Sequence, residues 1–392
     1  MKNLTLRYSA TQFTYWAASS GAASFATAYL LSQGIPSGTV GLLLAAAGLL
    51  SCITQPILAS AADRTKQFVL KKMLLIMSAL CCICFSIQLT PQLPPLLTGI
   101  FYIIGVWSSH AMVPLLNALC VAYHHAGYSI NYGASRGIGS AATAISSLVL
   151  GLVIAHLGTP WMILCLLCFR IICMVVLAGY PKIQKAHTDL QDAKESCSIP
   201  YFFSTYRWYC VSLLGILFLG MYHAMTENYL IAIMGALGGD SSHIGTALFI
   251  SAMVGAPIIF CFNQIRKFLC DTRLLKIATV SFLIKAVLFF FAKDITTIYF
   301  LQFLQITSYA FLAPTQVYYA NEKVRSCDMV KGQAFITAAY ALSCSAGNFT
   351  GGQLLGLGVD AILIAGIFMA LIGTLAIFAT VNKSDVAVQT LP

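Results

Sequence analysis

Charge is what this sequence has least of. Only 9% of its 392 residues are Asp, Glu, Lys or Arg, and just 12 are acidic. A soluble protein carries about a quarter of its residues as charges, so a chain this poor in them would expose apolar surface and precipitate. The shortage excludes a free-standing soluble fold. Clusters of His, Cys and carboxylate at ligand or triad spacing are also missing, so neither an enzyme nor a metal site is expected. With no sizeable polar domain, a membrane sensor is equally unexpected. The 14 cysteines do not pair at metal-binding spacing. Most, such as Cys52, Cys81, Cys82, Cys84, Cys165, Cys168 and Cys173, fall in apolar runs where a thiol packs as a small apolar group. His124 and His125 read as a solvated pair at a helix end.

Long apolar runs are what the sequence does have, 59% of its residues being hydrophobic. Stretches of roughly 20 such residues span a ~30 Å hydrocarbon core, and in lipid only helices or closed barrels satisfy their own backbone groups. The runs are too long and too evenly apolar for barrel strands. Hydropathy gives twelve spans: 8–31, 38–60, 72–90, 96–122, 133–157, 160–180, 206–234, 242–262, 274–292, 296–319, 331–357 and 360–381. The first run, behind Lys2 and Arg7, is long enough to be kept as a helix and not cleaved as a signal. All 22 basic residues except Arg170, Lys285 and Lys293 fall on one side of this topology. The positive-inside rule then makes that side, with both termini, cytoplasmic. The net charge of +10 is therefore topological and points to no nucleic-acid partner. The expected class is an all-α polytopic membrane protein.

The one long polar stretch is 181–205, "PKIQKAHTDLQDAKESCSIPYFFST", and it lies at the midpoint. It divides the chain into an N-terminal six-helix bundle (1–180), a cytoplasmic linker (181–205) and a C-terminal six-helix bundle (206–392). The halves echo each other. "PSGTVGLLLAAAGLLSCITQPILASAADR" parallels "DSSHIGTALFISAMVGAPIIFCFNQIRK": a polar cap, a Val/Ile-Gly step, small residues, a Pro, then a basic turn. "NYGASR" likewise parallels "VKGQAF". Two similar bundles are a transporter plan, because alternating access needs two bodies that move against each other.

Twelve spans divided six and six, with "QPILASAADRTK" between helices 2 and 3, resemble the major facilitator superfamily. "NYGASRGIGSAATA", "VPLLNAL" and "GMYHAMTENYLIAIMGALGGDSSHIG" are similar to the lactose permease-like proton symporters of sugars, nucleosides and aromatic acids. The resemblance covers nearly the whole chain. It implies that Asp63 and Arg64 act in conformational gating, although Ala59 and Ser60 stand where a Gly is usual. It implies that Arg136 on helix 5 binds substrate, presenting paired N–H groups to hydroxyls or a carboxylate. The helix 4 partner, a glutamate in that group, is Asn117 here, an amide that cannot neutralise Arg136. His110 lies on the same helix 4 face, two turns earlier.

Glu227 is the only acid deep in any span, where an ionised side chain costs ~2.5–3.5 kcal/mol even on lenient insertion scales. His223 is one turn away on the same face, and Lys285 on helix 9 lies at similar depth. A carboxylate whose cationic neighbour can leave has its proton affinity reset, so Glu227, His223 and Lys285 are the expected proton-coupling group. Gln302, Gln305 and Gln316 on helix 10 and Asn348 on helix 11 offer uncharged donors and acceptors. Tyr15 and Trp16 on helix 1 offer faces for stacking. Arg170, mid-helix, needs a partner that the sequence does not name.

These residues together imply a secondary transporter that takes up a small polar solute (a sugar, oligosaccharide or nucleoside) by alternating access. A proton would be the coupling ion, with no other cofactor. The expected setting is a bacterial cytoplasmic membrane, the lipid bilayer being the chain's surroundings and the working unit a monomer. The alternative is a proton-coupled efflux antiporter of the same fold. Such exporters carry an arginine in helix 4 and a Gly-Pro pair late in helix 5, and this chain has neither.

Overall fold

Apolar runs in lipid must close their hydrogen bonds within each segment, and the computed structural model shows that outcome throughout. It describes residues 4–63, 67–90, 93–128, 130–181, 199–325 and 328–383, and among them there is no strand. In chain order the helices begin with α1 (Leu4–Ser24), α2 (Ala26–Ser32), α3 (Ser37–Asp63), α4 (Gln67–Ile87), α5 (Pro95–His125), α6 (Tyr132–Leu157) and α7 (Thr159–Ala178). After a short α8 (Ile199–Thr205) come α9 (Arg207–Asn228), α10 (Leu230–Ala236), α11 (Ser241–Phe260), α12 (Phe262–Ile265) and α13 (Asp271–Phe291). The chain continues through α14 (Ile295–Leu301), a 3-10 turn (Gln302–Ile306), α15 (Tyr309–Lys323), α16 (Met329–Leu355) and α17 (Val359–Thr380). Ten helical stretches of the described residues are long and apolar enough to cross a membrane. α1 and α16, richer in Ser, Thr, Gln and Gly, stand outside that set. Most of the linker, 182–198, lies outside the described residues.

Packing divides the chain into two units, one of residues 1–188 with 228–252, the other of 189–227 with 253–392. The first thus takes in α10 and most of α11, beyond the division at the linker that the sequence suggests. In this unit α1 packs on α6 and α7, while α5 packs on α3 and α4. α6 and α11 meet backbone to backbone: a Cβ on Gly245 would fall 2.5 Å from the Ser147 carbonyl oxygen, and one on Gly151 2.6 Å from that of Ser241. In the second unit α13 packs on α15 and α17. α9 approaches α16 closely, since a Cβ on Gly347 would lie 2.6 Å from the Met221 carbonyl oxygen. Small residues let helix backbones approach, and that packing drives association where lipid offers no hydrophobic difference.

Three expected spans are not continuous helices. The first breaks at Phe25 (φ −102°, ψ 9°) and the seventh at Tyr229 (φ −105°, ψ 15°). Tyr229 stands to Phe25 at the spacing by which Gly245 stands to Gly41, so the repeat seen in sequence reappears as a shared backbone irregularity. The tenth span changes to 3-10 at Gln302 and resumes as α15 only after Ser308. Interruptions of this kind within membrane helices often mark functional sites.

Outside the spans, the polar cap expected before helix 8 is formed by Asp240. Its Oδ1 accepts from the amides of Ser242 at 2.9 Å and His243 at 3.2 Å, and from the Ser242 hydroxyl at 2.5 Å. The Ser242 hydroxyl foremost holds this carboxyl down at about 2 against the opposing effect of burial, with His243 and the backbone amides adding to the lowering. A folded-state pKa below the unfolded value means that the cap's contribution is present above the unfolded value of 3.8 and lost as pH falls toward about 2. Asp240→Ala should therefore lower thermal stability in detergent by about 1 kcal/mol at neutral pH. The difference from wild type should close between pH 4 and 2, roughly the interval between the two pKa values. Paired thermal melts across that range check it.

Candidate functional site

Helix periodicity places residues four apart on one face, and in α1 this aligns Tyr8, Gln12 and Trp16. The Trp16 indole N–H donates to Gln12 Oε1 at 2.8 Å, and Gln12 Nε2 donates to the Tyr8 hydroxyl at 2.9 Å. Tyr8 passes the relay to the Leu116 carbonyl on α5 at 3.2 Å. The oriented indole carries Arg136 of α6, whose guanidinium carbon sits 4.1 Å from the ring centroid. That is cation–π distance, worth ~0.5–1 kcal/mol at exposed sites and ~2 when desolvated. Arg136 also donates to Ser140 Oγ at 3.2 Å, and no ion pair engages it among the described residues. Tyr132, packed against Tyr8, donates to Asn117 Oδ1 at 3.1 Å. Trp16, Arg136 and Asn117 therefore belong to one connected polar wall, with Gln12, Tyr8 and Tyr132 as members that the sequence reading did not include. For Tyr8 and Gln12 the signal was available in the spacing of four along α1.

Tyr15 goes elsewhere. Only 1% exposed, it donates to the Ser109 carbonyl at 2.8 Å and covers the Arg170 guanidinium, 5.2 Å from its ring centroid. Arg170 is fully buried, and its partners are two serine hydroxyls, Ser19 at 3.0 Å and Ser109, together with Met112 Sδ at 3.3 Å. The serines also bond each other at 2.6 Å. A cation with no carboxylate is thus held by neutral dipoles from α1 and α5, tying both to α7. His110 is half-buried on α5, where its backbone carbonyl accepts from Gln55 at 3.2 Å. Arg64 and the side chain of Asp63 lie outside the described residues.

The second unit holds the other group. On α9, His223 Nε2 lies 3.7 Å from Glu227 Oε2, while the imidazole stacks on Tyr309 (centroids 4.6 Å, 26°) and meets Phe282 edge-on. Lys285 of α13 is 4% exposed and makes no ion pair with Glu227. It donates to Gln302 Oε1 at 3.2 Å and Gln305 Oε1 at 3.0 Å. Both glutamines belong to the 3-10 turn, so the interrupted helix is what brings two amide oxygens to one ammonium. His223, Phe282, Tyr309, Gln316 and Tyr340 line a small cavity in this unit. Gln316 belongs with the helix 10 glutamines expected from sequence as uncharged donors and acceptors, whereas nothing in the sequence separates Tyr309 from other helix 10 residues. Asn348 is buried on α16, beside the Gly347 contact with α9.

The MFS_1-like family model matches residues 5–370. No curated protein matches the sequence. Among solved structures, a point mutant of the nucleoside transporter NupG superposes with a TM-score of 0.83 at 13% identity, covering 97% of this chain and 100% of that one. NupG itself gives 0.78 at 13% identity, with 100% of each chain covered. A bacterial homologue of the human lysosomal transporter Spinster, inward-facing and occupied, gives 0.69 at 11% identity over 96% of each. At such identities the likeness is one of fold.

The indole on Arg136 depends on Gly139, where a Cβ would fall 2.6 Å from Trp16 Cδ1. Gly139→Ala should push the ring off the guanidinium. In a variant whose only tryptophan is Trp16, its fluorescence maximum and quenching by iodide should change, while Ala substitution at exposed Gly137, which has nothing within 4 Å, should leave both as they were.

Proposed function

We propose, because the chain belongs to the MFS_1-like family of major facilitator transporters, that it couples uptake of a small polar solute to protons by alternating access. The solute is a sugar, oligosaccharide or nucleoside. On this proposal the chain crosses a bacterial cytoplasmic membrane twelve times as a monomer with both termini inside. The two spans beyond the ten apolar ones are α1 with α2, and α16. Their polarity suits helices that carry hydrophilic side chains and glycine contacts in place of lipid-facing apolar ones.

The observation that carries the proposal is Glu227. It is the only acid deep within an apolar span, its neighbour at 3.7 Å is a histidine, and the buried lysine nearby is held by glutamines. An acid locked to a permanent cation would stay ionised. One beside an imidazole, with the ammonium satisfied elsewhere, can gain and lose a proton as its surroundings change. Proton entry would add the membrane potential, ~2.3 kcal/mol per charge per 100 mV, to the chemical gradient. Substrate would meet Arg136 and Trp16 in the first unit: hydroxyls on the guanidinium, a ring face on the indole.

A thermal-shift screen of sugars, nucleosides and aromatic acids identifies the solute for two tests. In proteoliposomes under an inward proton gradient, Glu227→Gln should reduce accumulation to the equilibrium level while counterflow exchange continues. Accumulation that survives intact removes the coupling role. Arg136→Ala should weaken solute binding more than about tenfold, the scale of one charged hydrogen bond, with Arg136→Lys intermediate. Unchanged affinity in the Ala variant would reassign Arg136 to anchoring.

A further inference from the structure

Arg207 opens α9, and the indole of the next residue, Trp208, is shared by two cations. The Lys383 ammonium, just past the end of α17, sits 3.7 Å from the indole centroid, and the Arg207 guanidinium carbon 5.1 Å from it. Lys276 of α13 joins the same edge of the second unit. Its ammonium donates to Asn382 Oδ1 at 3.2 Å, beside Lys383, and lies 5.6 Å from the Phe378 ring centroid. Arg207 and Lys383 are exposed, and Lys276 is half-buried. None of the three pairs with a carboxylate among the described residues.

Like charges drawn from three helices onto one edge repel one another. An indole and an amide orient them without neutralising them, and an anion placed among them removes the repulsion. The surroundings say which anion. The cluster lies at the ends of α9 and α17 and near the start of α13, where spans meet the membrane surface, and tryptophan is a residue of that interface. Val211 follows Arg207 by one turn of α9, Val280 follows Lys276 by one turn of α13, and Phe378 and Leu375 precede Lys383 on α17; all four are exposed. Residues a turn apart share a helix face, so an apolar strip runs from the cations into the hydrocarbon. A free phosphate would engage the cations alone, whereas a phospholipid engages both cations and strip.

We propose that Arg207, Lys276 and Lys383, oriented by Trp208 and Asn382, form a site for the headgroup phosphate of an anionic phospholipid whose acyl chains lie along Val211, Val280 and Phe378. Basic pockets between membrane helices on the cytoplasmic side take such headgroups, and that is the side on which the transport reading puts these helix ends. Nothing else in the proposal rests on that reading. A lipid held there ties α9, α13 and α17 together at one end of the second unit.

Native mass spectrometry of the purified full chain in a neutral detergent tests it. The probes are phosphatidylglycerol and phosphatidylcholine of identical acyl chains, the choline of the second offsetting its phosphate. The first phosphatidylglycerol should bind at least about tenfold tighter than phosphatidylcholine, each basic residue near an anionic lipid being worth roughly fivefold. Arg207→Gln, Lys276→Gln and Lys383→Gln should each cut that preference roughly fivefold, and the triple variant should abolish it. Lys267→Gln, at an exposed cation that shares none of these contacts, should leave it unchanged. Inorganic phosphate at the same concentration should not displace the lipid. Should the triple variant not fold, the single variants carry the comparison. The proposal is overturned if the two lipids bind alike in wild type, if the preference survives in the variants, or if Lys267→Gln lowers it as much as they do. Displacement by inorganic phosphate also overturns it, making the cluster a site for a free anion. No transport is measured, so this result and those of Glu227→Gln and Arg136→Ala can fail independently.

Discussion

The structure depends on how an ionised group is kept inside an apolar helix bundle when carboxylates are almost absent. With 22 basic and 12 acidic residues, and a single acid deep within the spans, ion pairing cannot serve every buried cation. The chain uses neutral dipoles. Lys285 is held by two glutamine oxygens, Arg170 by two serine hydroxyls and a thioether, and Arg136 by an indole face. Dipoles meet most of these donors without cancelling the charge, the Arg170 Nε being left without a partner.

This constraint also accounts for the irregular backbone. A regular helix points consecutive side chains in different directions, and Gln302 and Gln305 are three apart in a segment where a 3-10 turn eclipses such positions. The turn is what sets both amides on one ammonium. The breaks at Phe25 and Tyr229 recur at equivalent places in the two halves, which links them to the repeated architecture and not to one local sequence. α1 and α16 are the polar members among the long helices, and both make close contacts through small residues: Gly21 against Leu150 and Ser146, Gly347 against Met221. Their lower hydropathy and their tight packing have the same origin, since a residue that faces another helix has no need to be apolar.

In each unit a polar residue is oriented by a relay that ends on a backbone carbonyl or a ring. Trp16 is fixed through Gln12 and Tyr8, and His223 through Tyr309 and Phe282. Pre-orientation of this kind lowers the entropy lost when a ligand binds. It suits a transporter, which must release its solute on the far side and gains nothing from ordering its site anew in each cycle.

The sequence by itself determined the membrane class, the helix positions to within a few residues, the internal repeat, the Asp240 cap and the inventory of intramembrane charges. Each follows from a local signal: the thickness of lipid, the cost of a bare charge, or the chemistry of a helix start. Tertiary structure alone decided the partners. Ser19 and Ser109 are ordinary members of small-residue runs until α1 and α5 meet over Arg170. Tyr15 and Trp16 are adjacent, yet one enters the core and the other faces Arg136, because a helix turns about 100° per residue (3.6 per turn) and the neighbouring helices assign the faces. Lys285, expected from the sequence at the depth of Glu227, bonds glutamines instead, a choice made by the 3-10 turn that hydropathy could not register. Spacing along the chain fixes which residues share a face. Which faces meet is settled only when the helices pack.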